Sequence, residues 1–263
     1  MAMSDYLNLP GNEPGNLPVN LHQDTFEWAL QKTYDFARLM SCYRCAMMEI
    51  ETKLNVLNEE FSLRFDRQPI SSIRTRLKDP LSIHEKMLRH SWPLTTESME
   101  QNLCDIAGIR VICSFVEDVY TLADALLMQD DITLIRRKDY IANPKPNGYR
   151  SLHLIVEVPI FLEHEKRLMK AEIQLRTIAM DSWASLEHQL RYKKENAFDT
   201  EMAEEIRACA DLSALLDEKM NRLKRRIDAD PQNERNRMQS ELDRIHSMMG
   251  DLPAPSSESK ENE

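Results

Sequence analysis

The chain has 263 residues, with 34 Lys and Arg against 44 Asp and Glu, a net charge of −10, and only five glycines. That length can bury a real core in one large domain or two small ones, and the acidic balance argues against a general coat for nucleic acid. No apolar run reaches the roughly 18 residues of a membrane span and no secretory signal pattern opens the chain, so the expected location is the cytoplasm, with no membrane partner.

Residues 1–20, rich in Asn, Pro and Gly, read as a flexible leader. From about His22 to Phe65 there is no proline or glycine, and apolar residues recur at spacings of three and four: Phe26, Leu30, Tyr34, Ala37, Met40, then Met47, Ile50, Leu54, Leu57, Phe61. This predicts one long helix or a helix pair with a buried stripe. Cys42 and Cys45 fall inside it, and no second Cys or His pair follows at zinc-finger spacing, so packing is the expected use of both.

Ile70 to Lys78 reads as a strand that places Arg74 and Arg76 on one face. Asp79-Pro80 looks like an N-cap followed by a first-turn proline, opening a helix over about Leu81 to His90 with Ser82, Lys86 and Arg89 along one side. Ile109 to Phe115 is a buried-strand signal interrupted by Arg110. Arg110 and Asp105, at the strand entrance, either pair with each other or serve a site, since a buried charge needs a partner or a task.

Glu117 to Gln129 follows as an amphipathic helix and Ile132 to Tyr140 as a strand. With Lys145 and Arg150, the basic residues Arg136, Arg137 and Lys138 of that strand form an island against which only Asp139 is set. It is either a focused anion site or a solvated patch. Tyr149 to Pro159 and Leu168 to Thr177 read as two more strands joined by the charged linker Glu163 to Arg167. On the last, Glu172, Gln174 and Arg176 share one face by the period of two. From Ile178 a helix carries Ala179, Trp183, Leu186 and Leu190. Thr200 to Asp228 is another helix, with Ala208, Leu212, Leu215, Leu223 and Ile227 facing a partner, and a last charged helix ends near Gly250. Residues 251–263, rich in Ser, Pro and Glu, are expected to be disordered.

The fold class that follows is α+β, a single mixed β-sheet of five strands flanked by helices. The expected divisions are a core over residues 21–195 and C-terminal helices over 196–250 that are available for oligomer contacts. Asp105 and Glu172, two carboxylates at strand ends, are a candidate site for Mg2+ shared with substrate phosphates, with nearby Arg and Lys neutralising phosphate charge. No G-x-x-x-x-G-K-[ST] occurs, which leaves out a P-loop.

The stretches Arg76-Leu77-Lys78, Ser82 with Lys86, Asp105 to Arg110, Arg137 to Ile141, Lys145 to His153, Glu172 to Thr177 and Trp183 to His188 together resemble the synthetase domain of RelA/SpoT-type alarmone synthetases. In length the chain resembles the small stand-alone members. The resemblance implies a nucleotidyltransferase-like synthetase fold with helical extensions at both ends. It also implies transfer of a pyrophosphate from ATP to the 3′-hydroxyl of GDP or GTP, giving guanosine tetra- or pentaphosphate and AMP.

By the same resemblance Arg76 and Arg110 would sandwich adenine, Lys78, Ser82 and Lys86 would hold the ATP phosphates, and Asp105 with Glu172 would hold Mg2+. Glu172 would also act as base, Tyr149 would stack on guanine, and Lys138, Lys145, His153 and Gln174 would surround the acceptor. A homo-oligomer, by resemblance a homotetramer, is implied, and RNA binding is left open. A second reading in the same fold is a toxin-type relative that pyrophosphorylates the 3′ end of tRNA along a basic path through Arg222, Lys224, Arg225 and Arg226. None of the seven histidines precedes an Asp, so the hydrolase domain of the long bifunctional relatives is not expected.

Overall fold

The computed structural model describes residues 20–65, 67–192 and 200–230, together with residues 238, 242, 243 and 247. The expected leader, apart from Asn20, and the expected tail lie outside them, as does most of the last charged helix. In order, the elements are α1 (Asn20–Phe65), β1 (Ile70–Leu77), α2 (Pro80–Arg89), α3 (Thr96–Asn102), β2 (Ala107–Cys113), α4 (Val116–Leu127), β3 (Thr133–Asp139), β4 (Leu152–Phe161), β5 (Lys166–Thr177), α5 (Ile178–Tyr192) and α6 (Thr200–Asp228).

The strands form one sheet in the order β1-β2-β5-β4-β3. Only β2 and β5 run parallel; the other neighbours are antiparallel. One face packs on α1 and α4. Ile109, Val111, Leu154, Val156, Ile173 and Leu175 join Tyr43, Ile50, Leu54, Leu122 and Leu126 there in a continuous buried core. The stripe read from the sequence as a helix or a pair is therefore a single helix, buried from Leu39 to Phe61 wherever it meets the sheet.

The opposite face is polar, and the register lines its side chains up in rows. Arg74, Arg110, Gln174, His153 and Lys138 are successive partners across all five strands, and Arg76, Gly108, Glu172, Ile155 and Arg136 form the next row. Side chains of partnered residues point to the same face. Five strands that look separate in sequence therefore bring their charges to one surface.

Several expectations need correction. The strand expected from Tyr149 begins at Leu152, because Tyr149 and Arg150 are drawn into a loop held by α5 and α6. Lys166 and Arg167, expected in a linker, belong to β5. The short α3, capped by the Thr95 side chain accepting from Ser98 N at 3.2 Å, was not expected; its seven residues are too few to show a period. The basic island does not stay together. Arg136 and Lys138 lie on the polar-face rows, whereas Arg137 alternates to the other side and pairs with Asp124 at 3.4 Å, and Arg150 turns to α6 and Asp211.

The apolar stripe expected on α6 is also largely exposed among the described residues. The helix buries Ile206, Ala210 and Asp217, while Leu212, Leu215, Leu223 and Ile227 stay exposed. Polar bonds do much of the docking: Trp183 Nε1 donates to Ile206 O at 3.0 Å, Thr177 Oγ1 to Asp217 at 2.7 Å, and Lys224 to Glu117 at 2.8 Å.

Candidate active site

Over the polar rows lies an open cleft of about 390 Å³, lined by Arg74, Arg76, Lys78, Asp105, Arg110, Glu172 and Gln174, with Thr75, Gly108 and Ile109. Gly108 keeps it open beside Glu172. Its strand neighbour is Arg76 on one side and Glu172 on the other, and a Cβ there would meet Arg76 O at 3.3 Å.

Asp105 stands in the turn just before β2. Lys78, one residue past β1, donates to its Oδ2 at 2.9 Å, and Lys86, on the second turn of α2, donates to the same oxygen at 2.8 Å. Asp105 and Arg110 therefore do not pair with each other: Asp105 holds two lysines, and Arg110 reaches Asp181 at 3.6 Å. Burial tends to raise the Asp105 carboxyl, but the bonds from Lys86 and Lys78 outweigh it and hold the group below the usual carboxylate range. Its Oδ1 is buried with no hydrogen-bond partner.

Glu172 is the second carboxylate. His153 Nδ1 lies 3.1 Å from its Oε1, and Gln174 Nε2 donates to its Oε2 at 3.2 Å. Burial again pulls upward, as does the nearby charge of Asp105, but His153 and Gln174 keep the carboxyl below its ordinary range.

From Glu172 a chain of contacts runs outward. Tyr149 OH lies 2.8 Å from His153 Nε2 and accepts from Arg176 Nη2 at 2.7 Å. Lys145 Nζ sits 4.7 Å from the ring centres of both Tyr140 and Tyr149. The loop carrying these side chains turns at Gly148, whose φ of +88° is a conformation that residues with a Cβ rarely adopt.

The residues singled out in the sequence therefore fall into two adjoining groups. Arg76, Lys78, Asp105, Arg110, Glu172 and Gln174 line the cleft, with Lys86 bonded to Asp105; His153, Tyr149 and Lys145 follow on from Glu172, with Lys138 beside His153 in the register. Ser82 is the exception. Its N–H and hydroxyl both bind the Asp79 cap, at 2.9 and 2.6 Å, because the cap places Asp79 against the first turn of α2.

Sequence reading missed a hub. Asp181, in the first turn of α5, gathers Arg176 at 3.0 Å, Arg110 at 3.6 Å and Arg74 at 3.7 Å. Arg74 shared a strand face with Arg76 and was visible as such; Asp181 carried no local signal, since all three partners come from other elements.

Asp105 and Glu172 are a plausible pair of hard oxygen ligands for a divalent cation, which binds through a few carboxylates completed by substrate phosphates. The buried, unpartnered Oδ1 of Asp105 is the kind of atom such an ion satisfies. Among the described residues no group of three or more His, Cys, Asp or Glu side chains is placed to hold a metal alone.

Comparison with known proteins gives the family. The family described as the region found in RelA/SpoT proteins matches residues 75–197. The chain is 39% identical over 207 residues to GTP pyrophosphokinase YwaC of Bacillus subtilis, covering 79% of this chain and 97% of that protein. The crystal structure of small alarmone synthetase 2 from Bacillus subtilis matches with a TM-score of 0.66 and 38% identity, over 73% of this chain and 99% of that one. That of small alarmone synthetase 1 from the same organism, bound to its product pppGpp, has a TM-score of 0.66 and 33% identity, over 73% and 97%.

Proposed function

The chain belongs to the RelA/SpoT family, and from that membership and the cleft we infer that it is a guanosine alarmone synthetase. It moves a pyrophosphate group from ATP to the 3′-hydroxyl of GDP or GTP. The carrying observation is the single polar sheet face on which Asp105 and Glu172 stand in one cleft among Arg74, Arg76, Lys78 and Arg110.

In this reading Arg76 and Arg110 stack on adenine, which planar guanidinium groups do well. Arg76, its side chain 80% exposed, has a long 4.0 Å pairing with Asp79, whereas Arg110 is oriented by Asp181. Lys78 and Lys86 turn from Asp105 to the ATP phosphates. Ser82 joins them only by leaving the Asp79 cap. The carboxylates Asp105 and Glu172 would hold Mg2+, and what the ion supplies is neutralisation of phosphate charge.

Glu172 takes the proton from the 3′-hydroxyl, kept in its ionised form and in place by His153 and Gln174. The 3′-oxygen then bonds to the β-phosphorus of ATP as the bond from that phosphorus to the α,β-bridging oxygen breaks. AMP leaves with that oxygen. On the acceptor side guanine stacks on Tyr149 in place of the Lys145 ammonium, and Lys145 moves with Lys138 toward the acceptor phosphates.

No observation favours the tRNA-modifying alternative. Of the cations proposed for an RNA path, Lys224 and Arg225 are bound to Glu117, and Arg222 to Glu218. Incubation with ATP labelled at the γ-phosphate and GDP, GTP or deacylated tRNA tests the assignment. Label in a guanosine tetra- or pentaphosphate is the expected result; label only in tRNA would replace this reading with the other.

A further inference from the structure

We propose that helix α6 is part of the acceptor site, and that Arg207 and Ala210 are positioning residues that hold the acceptor loop in its binding shape. This rests on the reading that Tyr149 and its loop bind the acceptor nucleotide. The loop from Lys145 to Arg150 has internal bonds at Gly148 N to Lys145 O, 2.8 Å, and Lys145 N to Tyr149 O, 3.2 Å; outside it, Asn147 Nδ2 donates to Glu187 of α5 at 3.4 Å, and α6 supplies the rest of its support.

Three contacts converge within one turn of the helix. Arg207 Nη1 donates to Pro146 O at 2.8 Å, with its Nε held by Asp211 at 3.3 Å. Arg150 Nη1 donates both to Ala210 O at 3.0 Å and to Gly148 O at 3.3 Å, so one guanidinium ties the helix to the loop's turn. Gly148 lies so close to the helix that a Cβ on it would stand 2.4 Å from the Ala210 Cβ and 3.0 Å from Arg207 Cδ. Tyr149 packs against the cluster of Trp183, Ala184, Ile206 and Ala210.

The consequence is specific. A loop of this kind, with a proline, a left-handed glycine and charged tips, samples many shapes when unsupported. An acceptor must then select the competent shape, which weakens apparent affinity in proportion to its population. In the same reading ATP binds on Arg76, Lys78, Lys86 and Arg110, whose bonds and ion pairs run to Asp79, Asp105 and Asp181 rather than to α6. Loosening the clamp should therefore raise the acceptor KM and leave the ATP KM alone.

The test is steady-state kinetics of the full chain, varying acceptor at saturating ATP and the reverse, with Tyr149→Ala as reference. Arg207→Ala should raise the acceptor KM roughly three- to tenfold, as loss of a half-exposed hydrogen bond of ordinary strength to a carbonyl allows, and Arg207→Lys should recover part of it. Gly148→Ala should do more damage, and adding Ala210→Gly should restore part by removing the colliding methyl. Should Gly148→Ala fail to fold by circular dichroism, the Arg207 pair decides alone.

An acceptor KM unchanged in Arg207→Ala while Tyr149→Ala raises it would overturn the clamp and leave the acceptor assignment standing. Equal rises in both KM values would overturn it too, by showing general loosening. If Tyr149→Ala leaves the acceptor KM unchanged, the reading of the loop fails, and the clamp falls with it.

Discussion

Glu172 illustrates how one carboxylate is made ready for proton abstraction. Both its oxygens accept from protein donors, which keeps it ionised and fixed in direction. Glu172→Gln should lower turnover by roughly 10²–10⁴-fold, the usual worth of a general base, while ATP binding measured by calorimetry stays near wild type. Retained turnover would remove Glu172 from that role. Tyr149→Ala should cost the acceptor about 1–3 kcal/mol of base stacking, read as a roughly tenfold or greater rise in the apparent acceptor KM. Glu172 was legible in sequence as a polar side chain inside a strand-like run, whereas its role and that of Tyr149 came only through the family resemblance. Asp181 was not legible, because its meaning lies in three arginines that only folding brings to it.

Among the elements, α4 and α6 are joined by a small charge cluster. Lys224 lies 2.8 Å from Glu117 and 3.9 Å from Asp118, and Arg225 also binds Glu117. Although burial alone would raise it, the bonds from Lys224 and Arg225 bring the Glu117 carboxyl down from 4.5 to about 2. A depressed carboxyl stabilises the fold fully above its unfolded value and loses that contribution as pH falls through the folded one. The window is therefore from 4.5 down to about 2. Across it, wild type should lose more melting temperature than Glu117→Gln; parallel losses in the two would show that the tether contributes nothing. Asp217 works the other way, since burial raises its carboxyl despite the Thr177 bond, and its effect favours the fold at low pH.

At the scale of the whole molecule, α6 carries an apolar stripe that is exposed among the described residues: Leu212 at 66% and Leu216 at 53%, flanked by Leu215, Met220 and Leu223. Contiguous exposed apolar surface of this sort marks association. It is the proposed contact of a homo-oligomer, by resemblance a tetramer. Leu212→Glu combined with Leu223→Glu should reduce the mass seen by light scattering without loss of helical signal. An unaltered mass would place the contact elsewhere. Among the described residues no helix is long and apolar enough to cross a membrane.

The sequence by itself determined the order of the elements apart from α3, the apolar stripe of α1, the cap at Asp79 and the roster of chemical groups. These rest on short-range rules: apolar periodicity, cap chemistry and the alternation of a strand. What only the tertiary structure decided is adjacency. Register across five strands set Arg74 beside Arg110, Gln174, His153 and Lys138, and split Arg137 from its basic neighbours. The packing of α5 and α6 chose which charges are used within the fold and which remain for ligands, turning Arg150 and Lys224 inward. No local pattern holds that information, because an ion pair depends on where distant segments meet.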